Sequence, residues 1–373
     1  MPRKAKKPVK VEEEGELPEH IEDQRKHVTV GAKFPTNTKT FDHHSIYSAL
    51  GIDNSFDFEK WKAGFSIEIK SLTAEEIVFE MKGVDAPIAN ALRRILISEV
   101  PTMAIETVYI SNNTSIIQDE VLAHRLGLIP ILADPREFDE REPGKDMTDR
   151  DTIVFQLDVK CERRPGAKDG DPEEKRYKHS RVLSSDLVWI PQGDQETTWA
   201  HSPLRPVYLD IPLAKLRPGQ EIKLTCYCEK NIGKEHAKWS PVATAAYRLM
   251  PVISFKQEVV GEKAEELVAK CPMKVFDIED SVAVVANPKN CTMCRECIRE
   301  PEWNDRVLLQ KDKEHYIFSV ESVGIIPPEV IVEEAIKTLI TRISKVSAAL
   351  NELRNPHSLP EGVNELEMES ETN

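Results

Sequence analysis

The most informative absence in this chain is that of a long hydrophobic run. The sequence contains no stretch of roughly eighteen consecutive apolar residues, which a helix needs to cross a bilayer. Its first residues include several lysines but lack the apolar core of a secretory signal. We therefore expect a chain that neither crosses a membrane nor enters the secretory pathway.

A net positive charge and several common catalytic motifs are also missing. The formal net charge is −14, which argues against a protein that coats nucleic acid by itself, because neutralising phosphates requires clustered Lys and Arg. The sequence has no Gly-rich phosphate loop, no Gly-x-Ser-x-Gly nucleophile elbow and no His-Glu-x-x-His zinc motif. These absences favour a scaffold over an enzyme, and they leave contact with DNA only through partner chains.

Composition separates a central region from two polar termini. Residues 1–35 begin with a basic block and continue into an acidic block with almost no apolar content, so we expect a disordered tail. The basic block suits either a nuclear import signal or a solvated tail without that role. Residues 355–373 are acidic and are expected to form a second disordered tail.

Between these tails, the hydrophobic pattern predicts a mixed α+β fold, because strands show a period of two and helices a period near 3.6. The predicted strands are Phe65–Lys70, Ile77–Met81, Ala104–Ile110, Ile153–Val159, Val207–Ile211 and Glu221–Cys228. The predicted helices run from Asp85 to before Pro101, and from Asp119 as N-cap to Leu126 with Gly127 as the stop. Surface loops are expected at Asp139–Arg150 and Glu162–His179.

A long amphipathic helix closes the predicted fold. From Pro328 to Leu353, apolar residues recur every three to four positions over about seven helical turns. These residues are Val332, Ile336, Leu339, Ile340, Ile343, Val346, Leu350 and Leu353. The stripe either packs on the chain's own sheet or serves as a partner's surface, and spacing alone does not decide between these two interpretations.

Two segments resemble the α-like subunits of RNA polymerase. The first covers Asn90–Glu106 (NALRRILISEVPTMAIE) and Asp119–Pro130 (DEVLAHRLGLIP), and it is similar to the α-motif of bacterial α, of the archaeal D-type subunits and of their eukaryotic counterparts. The second, Gly233–Pro241 (GKEHAKWSP), looks like a loop of the archaeal and eukaryotic members. Together with the closing helix, the resemblance extends over roughly residues 60–354.

Within this family, the chain looks most like the larger α-like subunits that polymerases I and III share. The extension Phe34–Trp61 and the segment Ser185–Pro191 carry this similarity. The polymerase II relatives have a tight zinc-binding cysteine group early in an insert domain, and no such group occurs between Ala104 and Lys160. This departure supports the I/III type.

The resemblance implies a discontinuous dimerisation domain made of β-strands and two packing helices. It assigns residues 36–60 to an N-terminal extension, 61–103 and 304–354 to the dimerisation domain, and 104–303 to a mostly β insert domain in which 262–303 form a degenerate ferredoxin-like module. A smaller α-like subunit would dock about a pseudo-two-fold axis. The pair would be the platform for the two largest subunits, in a nuclear and nucleolar enzyme that makes rRNA, 5S rRNA and tRNA.

The same resemblance implies which residues meet partners. The implied interface consists of Leu92, Arg93, Arg94, Ile95, Ile336, Leu339, Ile340, Ile343, Val346 and Leu350. Of these, Leu92 and Ile95 are expected in the core. The two arginines either bind carboxylates or backbone carbonyls of a large subunit or are solvated positions on a helix face.

Four of the seven cysteines crowd between Cys271 and Cys297. In a reducing compartment such a cluster indicates metal binding rather than disulfides. Cys291, Cys294 and Cys297 have the C-x2-C-x2-C spacing of a bacterial-type ferredoxin run, whose last Cys-Pro serves another cluster. Cys271 is followed by a proline, as the last cysteine of such a run is, but the positions ahead of it that would complete the run hold no cysteine. These four residues are what one cluster requires, and archaeal D-type subunits are similar in this respect.

Several interpretations of this cysteine group remain open. The site could hold a [4Fe–4S] cluster with a structural role, zinc bound by four thiolates, or nothing, as a vestige. A different function class would make the module the working part of a ferredoxin-domain redox or electron-transfer protein, and a third would make the chain a homodimeric adaptor. The α-motif has no purpose in an electron carrier and favours the polymerase subunit. The remaining cysteines Cys161, Cys226 and Cys228 are interpreted as packing residues, the last two on one face of a strand.

Overall fold

The computed structural model describes residues 19–38, 56–142, 144–168, 170 and 172–354. Its helices are α1 Glu19–Lys26, α2 Phe58–Gly64, α3 Ala86–Ser98, α4 Asp119–Gly127, α5 Glu173–Arg176, α6 Gln195–Thr198, α7 Glu262–Lys270, α8 Pro301–Asn304 and α9 Pro328–Arg354. The described residues fall into two compact units, one within Met1–Arg93 and Thr244–Val320 and the other within Arg94–Ala243 and Glu321–Asn373. The domain boundaries derived from the sequence stay a prediction.

Strands account for much of the remaining chain. They are β1 His27–Val30, β2 Pro35–Thr36, β3 Ser66–Leu72, β4 Glu76–Lys82, β5 Pro101–Asn113, β6 Ile131–Leu132, β7 Thr152–Lys160, β8 Glu162–Arg163, β9 Tyr177–Lys178, β10 Arg181–Leu183, β11 Val188–Trp189, β12 Arg205–Pro206, β13 Pro212–Lys215, β14 Glu221–Ile232, β15 Val242–Phe255, β16 Phe276–Glu279, β17 Val282–Val285 and β18 Val307–Ser322. This mixture of helices and sheets confirms the predicted α+β class. None of the helices in the described parts of the chain is long and apolar enough to cross a membrane.

The first unit is built on one sheet with the strand order β2-β1-β18-β4-β3, and β15 also pairs with β18. The predicted hairpin is confirmed as β3 and β4, which pair antiparallel. Ser66 lies opposite Lys82 at one end of the pair, and Leu72 lies opposite Ile77 at the other. On β4, Phe79 is buried and stacks on Phe318 of β18 with ring centroids 5.0 Å apart. Glycine is required after β4, because Gly83 has φ 73° and a Cβ there would meet the carbonyl oxygen of Gly64.

The second unit contains a four-stranded sheet with the order β11-β7-β14-β5. Strand β14 lies between two partners, and its alternate residues face a buried apolar core. Cys226 and Cys228 are fully buried on that inner face, while Tyr227 lies on the outer face against Tyr109. The prediction that these two cysteines share one face and serve packing is thus confirmed in its geometry, and Cys161 lies in the same core.

Two local predictions are wrong. Residues 207–211 form no strand, because the carbonyls of Leu209 and Ile211 accept hydrogen bonds from the backbone of the short turn at Ser184–Asp186 instead of from a sheet ladder. Asp119 is the first residue of α4 rather than its N-cap, which is Gln118. Its carboxylate accepts a hydrogen bond from the Asn113 amide, 2.6 Å away.

The expected disorder is also wrong for residues 19–35, where α1, β1 and the start of β2 form. Strand β1 adds to β18 with His27 opposite Asp312, and Val28 and Val30 are buried. The Asp23 carboxylate accepts hydrogen bonds from the Gln310 amide at 3.0 and 3.1 Å. The candidate import signal and the acidic tail 355–373 lie outside the described residues.

Candidate functional site

Helix α9 changes from buried to exposed along its length. In its first two turns Pro328, Ile331 and Ala335 are buried. Beyond them the apolar stripe is uncovered: Leu339 is half-buried, and the exposed fractions are 57% for Ile340 and 61% for Val346. The other exposed members of the stripe are Ile336, Ile343, Leu350 and Leu353. The first part of the helix therefore packs within the chain, and the remainder presents a free apolar face.

The polar contacts of α9 leave that face uncovered. The Arg342 guanidinium donates to both carboxylate oxygens of Glu99 at 2.6 Å. Within the helix, the Lys337 ammonium lies 3.0 Å from Glu333 and 2.9 Å from Glu334, which is the spacing of stabilising helical ion pairs. The buried first turns attach the helix to the chain, and these ion pairs lie outside the apolar stripe, which stays exposed.

Helix α3 carries the residues of the first resembling segment, and its stripe faces inward. Leu92, Ile95 and Leu96 are buried, which confirms the expectation that the first two lie in the core. They leave no free surface for a partner, so any contribution to an interface is through support of the helix. Of the two arginines, Arg93 donates from Nε and Nη2 to the Asn90 side chain at 3.2 and 3.0 Å, whereas Arg94 is exposed.

The segment Gly233–Pro241 lies against the end of α3. The Lys234 N–H donates to the Ser98 carbonyl at 2.9 Å. A Cβ at Gly233 would collide with the Ile97 carbonyl, so this close approach requires glycine. Trp239 is buried, and its carbonyl accepts a hydrogen bond from the Thr102 hydroxyl at 2.8 Å. The two segments that carried the resemblance thus form one structure.

Sequence reasoning missed an exposed apolar strand. All residues of β3 are exposed, including Ile67, Ile69 and Leu72, with Ile69 at 56%. The register places Ile67 opposite Met81 and Ile69 opposite Phe79, whose side chains are buried. Cross-strand neighbours lie on the same sheet face, so the core-facing side of the sheet is uncovered at its β3 edge. The alternating pattern identified the strand but could not show that its apolar residues are exposed in the part of the chain that the structure describes.

The four clustered cysteines line one pocket in the first unit. Cys271, Cys291, Cys294 and Cys297 share it with apolar side chains and a few polar ones. The apolar members include Ile253, Val275, Phe276 and Leu309. Within the described residues, no set of three or more His, Cys, Asp or Glu side chains is already gathered around a single ion position. The thiols therefore share a cavity without converging on one point.

Local backbone geometry explains how the thiols come to share that pocket. Cys271 caps the C-terminal end of α7. The segment from Cys291 to Cys297 begins directly after one short 3-10 turn, Pro288–Asn290, and ends within a second, Glu296–Ile298. It takes left-handed conformations at Met293 and Arg295, with φ 59° and 67°. These reversals of direction place all three thiols of the run on the pocket.

The thiols differ in their environment: Cys297 is buried, Cys271 and Cys291 are partly buried, and Cys294 is exposed. Burial, together with the neighbouring Cys291, Cys294 and Cys271, raises the pKa of Cys297 to about 12. Burial also raises the pKa of Cys291. The Val275 N–H points at the Cys271 sulfur at 3.5 Å, a contact of the kind that tunes iron–sulfur clusters. In the metal-free chain the thiols of Cys291 and Cys297 are protonated at neutral pH, and a bound metal would displace their protons.

Comparison with known families agrees with this geometry. The family model of the RNA polymerase Rpb3/Rpb11 dimerisation domain matches residues 78–343, a span that holds α3, the Gly233–Pro241 segment and the first half of α9. The chain belongs to this family. Its members are α-like subunits of RNA polymerase, so the coarse assignment made from the α-motif is confirmed.

Individual relatives of the Rpb3/Rpb11 family differ in their similarity to the chain. It is 51% identical over 339 residues to the Dictyostelium discoideum DNA-directed RNA polymerases I and III subunit rpac1, covering 90% of this chain and 96% of the relative. The Saccharomyces cerevisiae RPAC1 subunit is 44% identical over 311 residues, covering 82% and 92%. The Dictyostelium RNA polymerase II subunit rpb3 is 35% identical over 301 residues, covering 77% and 95%.

Proposed function

We propose that the chain is a non-catalytic assembly subunit of DNA-directed RNA polymerases I and III. Two relatives of one organism support this choice, since the I/III subunit is 51% identical and the polymerase II subunit 35% identical. The subunit would act in the synthesis of rRNA, 5S rRNA and tRNA, in the nucleus including the nucleolus. The finer similarity to archaeal D-type subunits stays a prediction.

The observation that carries this proposal is the free apolar face of α9. Full burial of one Ile, Val or Leu side chain stabilises by about 1.5–3 kcal/mol. Six exposed residues of this kind, from Ile336 to Leu353, could therefore offset the several kcal/mol that association costs. A smaller α-like subunit with a related apolar helix is the partner that such a surface fits, and the heterodimer would bury both faces about a pseudo-two-fold axis.

The two arginines of α3 are assigned a role toward the largest polymerase subunits. Arg94 is exposed, and a guanidinium offers five donors that stay charged at any physiological pH. Arg93 keeps two of its donors on Asn90, so it is oriented and retains donors for a carboxylate or carbonyl of a large subunit. Contact with DNA would be indirect, through those subunits, which fits the net charge of −14.

The test is co-expression of the full chain with a smaller α-like subunit, followed by determination of the mass of the purified species. We expect a one-to-one heterodimer. A homodimer would instead support a stand-alone adaptor. A monomer that ignores the partner would refute the proposal.

We further propose that Cys271, Cys291, Cys294 and Cys297 hold one [4Fe–4S] cluster with a structural role. Four thiols on one pocket, an apolar lining and an N–H aimed at a sulfur fit such a group. The bound cluster would cross-link the end of α7 to the loop after Pro288–Asn290. Zinc on four thiolates and an empty vestigial site are the alternatives.

Anaerobic purification with measurement of iron, sulfide and zinc per chain tests the cluster proposal. About four irons with matching sulfide would support it, and one zinc would replace the cluster by a zinc site. A metal-free heterodimer would leave the assembly function standing and make the cysteine site a vestige. The redox alternative predicts that a Cys294→Ser variant loses electron-transfer turnover with its assembly unchanged, and the polymerase relatives do not favour that outcome.

A further inference from the structure

Glu80 is a buried carboxylate outside the site described so far. It lies on β4 with 2% of its surface exposed. Its strand neighbours Phe79 and Met81 are buried too, and because alternate residues of a strand point to opposite faces, Glu80 lies on the face away from them. A buried carboxylate is costly unless cations and hydrogen-bond donors surround it. Its partners therefore indicate what it does.

Three cationic or hydrogen-bonding side chains surround that carboxylate. The Lys289 ammonium pairs with Oε1, the His315 Nε2 lies 3.1 Å from Oε2, and the Lys70 ammonium lies 3.9 Å from Oε1. Burial raises the pKa of Glu80, but the hydrogen bonds from Lys289 and His315 outweigh it, so the net pKa lies below the usual range. Glu80 is thus ionised at neutral pH and holds its partners as a charged acceptor.

Lys289 connects this carboxylate to the cysteine loop. It lies in the Pro288–Asn290 turn that leads directly into Cys291, whose N–H donates to the Pro288 carbonyl at 3.1 Å. Its own carbonyl accepts a hydrogen bond from the Arg248 guanidinium at 2.9 Å. The turn is therefore fixed at the Lys289 side chain by β4 and at its main chain by β15.

We propose that Glu80 is a positioning residue for the cysteine loop: through Lys289 it fixes the start of the loop against the main sheet and so holds Cys291 at the pocket it shares with Cys271. This inference rests on the proposed metal site. A loop that is already held in place loses less conformational entropy when the metal binds. The Lys289–Glu80 ion pair therefore favours retention of the metal. Since coupling is reciprocal, bound metal would in turn stabilise the Lys289–Glu80 pair and the sheet that carries it.

The experiment uses the full chain with four single substitutions. Lys289→Met removes the cation at a half-exposed position, and Glu80→Gln removes the charge with nearly unchanged shape. Lys289→Arg restores the cation as a rescue. Glu68→Gln is the matched control, because Glu68 lies directly opposite Glu80 on β3, also pairs with Lys70, and is exposed.

Two measurements separate this inference from the proposed metal site. The first is amide hydrogen exchange of residues 286–298 in the metal-free chain, and the second is the rate of iron release to a chelator from the iron-loaded chain. We expect Lys289→Met and Glu80→Gln each to speed both the exchange and the iron release by about tenfold, as for loss of one charge-assisted hydrogen bond. A fifth variant that combines these two substitutions should show no further increase. Lys289→Arg and the control should stay near the unmodified chain.

The outcomes are distinguishable. If the unmodified chain binds no metal, the metal site fails, and hydrogen exchange still tests the positioning role. If exchange of residues 286–298 is unchanged in Lys289→Met and Glu80→Gln, the positioning role fails whatever metal is bound. Should Glu80→Gln loosen the whole chain, Lys289→Met decides, because a purely structural Glu80 predicts no local change in that variant.

Discussion

Helices α3 and α9 carry similar apolar stripes and have opposite environments. In α3, Leu92, Ile95 and Leu96 are buried. Beyond the first two turns of α9, Ile340 and Val346 are more than half exposed, although the apolar residues recur at the same helical spacing as in α3. The periodicity of a stripe thus shows that a helix needs a cover, but it does not show whether the same chain provides it.

The two stripes therefore have different roles. The stripe of α3 stabilises the fold of this chain, so its loss should appear as a loss of folding free energy. The free stripe of α9 contributes little to the isolated chain, so its loss should appear only when a partner is present. Four experiments test this comparison, from the largest expected effect to the smallest.

The largest effect is expected for Leu96→Ala in α3. Leu96 is fully buried, and truncating a buried leucine removes transfer free energy and leaves a cavity, at a cost of about 2–5 kcal/mol. Urea denaturation of the full chain should show this loss in the free energy of unfolding. Ile88→Ala is the control, because Ile88 is exposed on the same helix and should cost less than about 1 kcal/mol. Equal losses in both variants would contradict the proposal that the buried stripe of α3 stabilises the fold.

Ile343→Ala in α9 should weaken partner binding and leave folding unchanged. A side chain buried at the centre of an interface contributes about 2 kcal/mol, so the dissociation constant should rise by roughly thirtyfold. Titration calorimetry with the smaller α-like subunit measures this change, and denaturation of the isolated chain should show no difference. Thr341→Ala, exposed on the same helix outside the stripe, is the matched control. A loss of stability without a loss of affinity would place Ile343 in the chain's own core.

These two helices also show what the sequence could predict. Repeating local patterns identified α3, α9 and the β3–β4 hairpin, because side-chain periodicity reflects which faces are buried. The strand predicted at residues 207–211 failed because the Ser184–Asp186 turn takes its carbonyls as acceptors. Disorder was wrongly predicted for residues 19–35 because their main support is β18, far along the chain.

In the cysteine site and around Glu80, too, the sequence revealed local features and missed contacts between distant residues. The spacing of Cys291, Cys294 and Cys297 is local and identified the loop, and the structure brings Cys271 to the same pocket. The contact of Glu80 with Lys289 joins residues separated by 209 positions. No local pattern marks such a pair, since a single glutamate in a strand ordinarily indicates a solvated face.

Within α9 itself, the boundary between the covered and free parts can be tested with one type of substitution. Ala335 is fully buried, so Ala335→Leu overpacks its surroundings and should cost about 1–3 kcal/mol of unfolding free energy. Ala348→Leu adds the same atoms in the exposed half and should change the stability of the isolated chain by no more than about 0.5 kcal/mol. Similar costs for both would show that the second half of α9 is covered in the isolated chain.

The smallest effect concerns the ion pair that links α9 to the residue following α3. Arg342 contacts both oxygens of Glu99, but its own side chain is 59% exposed. Water and salt screen such a pair, so Glu99→Gln should cost only about 0.5 kcal/mol, with Arg342→Met adding almost nothing to it. A double-mutant cycle by urea denaturation, repeated at high salt, measures the coupling. Coupling well above 1 kcal/mol that persists in high salt would mean that the pair, rather than the buried first turns of α9, holds the helix to the chain.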